Sequence, residues 1–169
     1  MIERQIRLII HDVRSAHNVG ALLRTADGLG VEHVYLTGLT PYPTKSRGER
    51  RLPHLAARQT RQIRKTALGA EDTVPWSQTR APSAMLNRLA ADDWQLVALE
   101  QAPQSVELSQ LRPTAKIVLV VGAEIGGLPI AVLRRCDQIV EIPMLGNKES
   151  FNVATATAIV LYHLRHVAT

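Results

Sequence analysis

Three stretches of this chain place glycine, carboxylate, amide and hydroxyl groups where apolar runs end. The first is His17-Asn18-Val19-Gly20-Ala21-Leu22-Leu23-Arg24. Asn18 reads as the N-cap of a helix, because Val19, Leu22, Leu23 and Ala26 follow at helical spacing. Gly20 is out of place in that helix, where glycine costs about 1 kcal/mol relative to alanine. A group approaching the backbone closely would account for it. Arg24 lies about 100° around the helix from Leu23, so spacing alone turns it toward solvent.

The second stretch is Val120-Val121-Gly122-Ala123-Glu124-Ile125-Gly126-Gly127-Leu128-Pro129. An apolar strand opens into glycines around one carboxylate, Glu124. The Gly-Lys-Ser/Thr ending of a phosphate-binding loop is missing, and so is the dinucleotide GxGxxG pattern. Two readings stand: an ordinary strand-to-helix turn, or a carboxylate that accepts hydrogen bonds from a ligand lying close to the backbone. The third stretch is Ile142-Pro143-Met144-Leu145-Gly146-Asn147-Lys148-Glu149-Ser150-Phe151-Asn152-Val153. Ser150 and Asn152 suit the capping of a following helix, and Met144 and Phe151 suit a core.

The elements that must position these groups alternate. Apolar runs predict strands at Ile6–Ile10, Val31–Leu36, Trp94–Leu99, Ile117–Val121 and Gln138–Ile142. Helices are predicted from Asn18 to Gly30, near Leu55–Leu68, from Ser83 to Ala91, from Pro129 to Arg135, and from about Asn152 to Val167. The last has a buried stripe of Val153, Ala156, Val160, Leu161 and Leu164. Between Thr37 and about Pro82 the pattern loosens around Pro41, Pro43 and Pro53. Alternation of this kind predicts an α/β fold, a mostly parallel sheet flanked by helices. Ligands of such sheets bind beyond the carboxyl ends of the strands, where all three polar stretches fall.

The 169 residues fit one domain with its own core. Hydrophobic residues at 46% and interspersed charged residues at 21% exclude a disordered chain. Aromatics at 4% leave the core to Val, Ile, Leu and Ala, as in a buried parallel sheet. Cys136 is the only cysteine, which excludes an internal disulfide, and it reads as a small buried apolar residue. The opening MIERQIRLII is too short and too charged for a secretory signal. No window reaches the ~20 apolar residues of a membrane span, so a soluble, cytoplasmic protein is expected.

The net charge is +5, and its distribution matters more than its sum. Lys45, Arg47, Arg50, Arg51, Arg58, Arg61, Arg64 and Lys65 crowd one segment against the single acid Glu49. A solvated basic helix or loop explains such a cluster as well as a nucleic-acid contact does on composition alone. Local concentration favours the nucleic-acid contact, because clustered charge releases phosphate counterions on binding.

Taken in order, the three stretches resemble the SPOUT superfamily, and within it the TrmH-type (SpoU) RNA 2′-O-ribose methyltransferases. The family pattern N-x-G-x-x-x-R is matched by Asn18, Gly20 and Arg24. G-x-E-x-x-G-L is matched by Gly122, Glu124, Gly127 and Leu128. I-P-M followed by S-hydrophobic-N-V is matched by Ile142, Pro143, Met144, Ser150, Asn152 and Val153. The chain departs at Ala123, Phe151, Ala154 and Glu100, where the family more often has Asn or Pro, Leu, Ser and Thr.

The resemblance implies a C-terminal deep trefoil knot that forms a pocket for S-adenosylmethionine (SAM). Leu99, Glu100, Gly122, Ile142, Met144, Ser150 and Phe151 would line it. The Glu100 carboxylate would face the sulfonium or amine of the cofactor. Catalysis would rest on Arg24, Asn18, Glu124, Ser150 and Asn152, with no metal. The family assigns the general base to the arginine, which is chemically awkward for a guanidinium, and phosphate binding with alkoxide stabilisation suits Arg24 at least as well. The resemblance further implies a homodimer with a shared site, for which exposed Ile159 and Tyr162 are interface candidates. The substrate would be tRNA, with rRNA or an inactive RNA-binding protein as alternatives.

Overall fold

A computed structural model describes residues 4–44 and 48–167. Among these residues seven strands form one sheet in the order β3-β2-β1-β6-β4-β7-β5, and every pairing between them is parallel. They are β1 (Gln5–His11), β2 (His33–Thr37), β3 (Trp76–Thr79), β4 (Gln95–Leu99), β5 (Val106–Glu107), β6 (Lys116–Val121) and β7 (Gln138–Glu141). The helices are α1 (Ala16–Gly28), α2 (Pro53–Ala67), α3 (Ala70–Thr73), α4 (Pro82–Ala91), α5 (Ile130–Leu133) and α6 (Val153–His166). The expected fold class therefore holds, and the sheet is parallel rather than mostly so among the described residues.

The core divides by the two-residue period of the strands. On β6, Ile117, Leu119 and Val121 join one apolar cluster with Val19, Leu22 and Leu23 of α1 and Val160, Leu161 and Leu164 of α6. Val118 and Val120 face the other, built with Met85, Leu86 and Leu89 of α4 and Val132 of α5. Both faces are thus covered, which explains the nearly continuous apolar runs.

Several local expectations are corrected. Ser15, not Asn18, caps α1, its Oγ accepting the Asn18 N–H at 3.2 Å, so the Asn18 side chain is free for other partners. Ser83 does not cap α4, which starts behind Ala81 without a side-chain cap. Pro129 is the N-cap of α5, which ends at Leu133 rather than Arg135. In α6, Thr157 is buried, whereas Val153 and Ala156 are only half-buried because they line a cavity described below. The short β3 and β5 went unpredicted, being polar or only two residues long.

Gly20 is explained by packing. A Cβ there would strike the Ile63 carbonyl oxygen and Thr66 Oγ1 of α2 and stand 3.0 Å from the Ala67 nitrogen. The group that approaches the α1 backbone is another helix. Thr66 reinforces the crossing by donating to the His17 carbonyl at 2.8 Å.

Cys136 is half-buried beside α5, and burial, with Asp137 second, pushes its thiol up to about 12. Thiolate is the reactive form. Iodoacetamide labelling of the folded chain at pH 8 should accordingly be far slower than for a small-molecule thiol. Labelling at the free-thiol rate would contradict that environment. No helix of the described residues is long and apolar enough to cross a membrane.

Candidate active site

The carboxyl ends of β4, β6 and β7 open onto a cavity of about 550 Å³. Leu99, Glu100, Gly122, Ile142, Met144, Ser150 and Phe151 all lie on its wall. Each follows from the topology. Leu99 closes β4, Gly122 comes one residue after β6, and Ile142 one after β7. Met144, Ser150 and Phe151 sit on the connection from β7 into α6. The wall also includes Glu124, Asn152, Val153, Gln101 and Glu141, of which the last two were not anticipated. Position was the available signal for Glu141, the final residue of β7 on a sheet whose ligand edge is its carboxyl edge.

Beside the cavity three side chains form a chain of hydrogen bonds with one direction. Asn152 is the N-cap of α6, and its Oδ1 accepts the Ala154 N–H at 2.9 Å. That leaves its Nδ2 to donate to Asn18 Oδ1 at 3.2 Å. Asn18 Nδ2 in turn donates to Glu124 Oε1 at 2.7 Å. Because the cap fixes which end of Asn152 is oxygen, the orientation of both amides follows. The first turns of α1 and α6 are tied in this way to the glycine loop after β6. Ser150 stands on the cavity wall and exposed.

Arg24 stands apart. It is six residues after Asn18, about 9 Å along α1 and about 240° around it. It is exposed, does not line the cavity, and has no hydrogen bond or ion pair with another described residue. Four of the five residues expected to act together are therefore gathered at the cavity, and the fifth is not.

The charges lining the cavity have one sign. Glu100, Glu124 and Glu141 contribute carboxylates, and among the described residues the wall includes no lysine, arginine or histidine. Their hydrogen-bond donors are neutral: the Leu128 N–H to Glu100, the Asn18 amide to Glu124, and the Ser105 hydroxyl to Glu141 at 2.6 Å.

The basic segment is only partly available to a ligand. Lys45 and Arg47 lie outside the described residues. Arg51 is consumed internally. Its guanidinium reaches Glu49 at 2.6 Å, Gln59 Oε1 at 2.6 Å and the Tyr42 carbonyl at 2.7 Å, and lies 3.6 Å over the Tyr42 ring. Arg64 pairs with Glu71 at 3.2 Å and Asp72 at 3.8 Å. Arg50, Arg58, Arg61 and Lys65 are exposed without such partners among the described residues. Arg58, Arg61 and Lys65 fall with His54 at spacings of four, three and four, so they form one stripe opposite the buried Ala56, Ile63 and Ala67.

The chain belongs to the SpoU rRNA Methylase family, whose model matches residues 5–162. It is similar to the 23S rRNA (guanosine-2′-O-)-methyltransferase RlmB of Bordetella pertussis, 35% identical over 156 residues, covering 92% of this chain and 57% of that protein. It is also similar to the tRNA (guanosine(18)-2′-O)-methyltransferase of Borreliella burgdorferi, 26% identical over 159 residues, with 94% and 65% covered. Among solved structures, the AdoMet-bound rRNA methyltransferase from Sinorhizobium meliloti matches with a TM-score of 0.76 and 26% identity. That match covers 99% of this chain and 58% of the other. The chain thus spans less than two thirds of each of these relatives.

Proposed function

We propose that this chain transfers a methyl group from SAM to a ribose 2′-hydroxyl of a structured RNA, most simply a tRNA. The observation that carries the reading is the cavity at the carboxyl edge of the sheet with the Asn152–Asn18–Glu124 chain at its side. Family membership and the names of the relatives support it.

The residues present fit SAM. A cavity of about 550 Å³ falls in the range of roughly 300–1,000 Å³ usual for small-molecule sites. Leu99, Ile142, Met144 and Phe151 offer apolar surface to an adenine ring. The Glu124 and Glu141 carboxylates, with no cation beside them on the described wall, suit a cofactor with net positive charge. When bound, SAM supplies an activated methyl group attached to a good leaving group.

The protein's task is to orient the hydroxyl and to manage its proton. In this reading Asn18, Glu124, Ser150 and Asn152 orient the ribose, and Arg24 holds a phosphate and stabilises the developing alkoxide. No metal is needed for such a displacement. The proposal includes one SPOUT domain spanning the 169 residues, with the family's C-terminal trefoil knot, a cytoplasmic location, and a homodimer. Exposed Ile159 and Tyr162 on α6 favour the dimer, since apolar side chains at the surface invite a partner. Arg24, which does not line the cavity of its own chain, would then serve the partner's. The RNA surface is Arg50, Arg58, Arg61 and Lys65, with Arg64 in part, together with Lys45 and Arg47; Arg51 is excluded by its internal bonds.

A second reading, the same chemistry on rRNA, is favoured by the higher identity to the 23S rRNA enzyme, 35% against 26%. The deciding experiment supplies methyl-labelled SAM with bulk tRNA and, separately, bulk rRNA, then digests the RNA to nucleosides. Label in a 2′-O-methylated nucleoside of tRNA is the expected result. Label in rRNA alone moves the substrate, and label in neither leaves an RNA-binding protein.

A further inference from the structure

The loop that bears Glu124 is secured at its far end by a side chain from a different strand. Glu100 directly follows β4, and its Oε2 accepts the Leu128 N–H at 2.7 Å while its Oε1 accepts the Gln101 N–H at 3.2 Å. Bonds to an ionised carboxylate are stronger than neutral ones. The carboxylate lies directly over Gly127. A Cβ at that position would stand 2.7 Å from the Glu100 carboxyl carbon and 2.9 Å from Oε1, and Gly127 has a left-handed φ of 62°. The loop closes on itself through a bridge between Ala123 and Gly127. Its neck is narrow, with a Cβ on Gly122 falling 2.8 Å from the Leu128 nitrogen.

We propose that Glu100 is a positioning residue whose carboxylate latches the Gly122–Leu128 loop to the end of β4. The latch fixes the backbone wall of the cavity and holds Glu124 in reach of Asn18. Its consequence for SAM rests on the function proposed above. The side chain committed to Leu128 and Gln101 does its work through the protein backbone, which differs from the direct attraction to a cationic cofactor expected from sequence.

Glu100→Gln separates the two roles, because the amide keeps a carbonyl acceptor for Leu128 and loses the charge. The experiment measures SAM binding to the full chain by calorimetry, together with hydrogen exchange of the Leu128 amide. Glu100→Ala should raise the SAM Kd about tenfold and speed Leu128 exchange, while Glu100→Gln stays within about threefold on Kd and keeps the amide protected. Gly127→Ala should also weaken binding. Its clash is with Glu100 itself, so the double variant Glu100→Ala/Gly127→Ala should fall short of the product of the single effects. A Glu100→Gln variant as impaired as Glu100→Ala, or independent effects at the two positions, would overturn the latch. Should wild-type protein bind no SAM, the cofactor reading falls. Leu128 exchange then decides the latch alone, with unchanged exchange in Glu100→Ala counting against it.

Discussion

Replacing Arg24 by alanine should lower the rate of methyl transfer at saturating RNA and SAM by about a hundredfold or more. The SAM Kd should stay within about twofold of wild type, because Arg24 does not line the cavity. The size of the loss follows from the geometry of the side chain. Arg24 is exposed and bonded to no other described residue, so its donors are available to a phosphate or an alkoxide. Arg24→Lys keeps the charge and loses the planar fork, so it should recover only part of the rate. Mixing Arg24→Ala with Asn152→Ala protein adds a second reading. Recovery of activity in the mixture places Arg24 in the partner's site, and its absence places it in the site of its own chain. Full activity in Arg24→Ala alone would remove it from the chemistry.

The second large effect is on stability. Gly20→Ala inserts a methyl group against the Ile63 carbonyl and the backbone at Ala67, neither of which can turn aside as a flexible side chain can. The helices α1 and α2 must separate. Overpacking of this kind costs about 2–3 kcal/mol, and the higher helix propensity of alanine returns about 1 kcal/mol of that. The net loss of about 1–2 kcal/mol should lower Tm by roughly 2–8 °C for a chain of this size. Thermal unfolding followed by circular dichroism measures the balance. A Gly20→Ala protein as stable as wild type would mean that the two helices have room to part. Because α1 also carries Asn18, a shift of α1 would loosen the bond to Glu124 as well.

Much of the architecture was readable from short-range pattern. Strands β1, β4 and β6 are apolar runs, and a buried parallel strand has little choice but to be one. Strand β3, Trp76-Ser77-Gln78-Thr79, has no such run because it is a half-buried edge strand. Strand order was not readable at all, since β6 enters between β1 and β4 through pairings far apart in sequence. At the site, the ligand edge was legible because parallel sheets put their ligands at the carboxyl ends of the strands, whereas the individual cavity residues came from the family resemblance. The bonds among Asn152, Asn18 and Glu124 were not. They depend on Ser15 taking the capping role that Asn18 was expected to fill, and on Asn152 both capping and donating. Likewise the run of basic residues gave no sign that Arg51 is spent on Glu49, Gln59 and Tyr42.

The placement of β6 governs how the chain can reach its final form. Strand β1 finds β2 soon after it is made, but its other edge pairs with Lys116–Val121, with Gln5 opposite Lys116. The Arg4 guanidinium bonds to the Leu164 carbonyl, and Arg165 donates back to the Arg4 carbonyl at 2.7 Å. Until residues beyond 116 emerge from the ribosome, one edge of β1 is an open template for foreign strands. Closing pairings across such sequence separations costs chain entropy before any contact compensates, so the central sheet should be completed late in folding. Nascent chains should therefore pass through an interval in which aggregation competes with assembly of the central sheet.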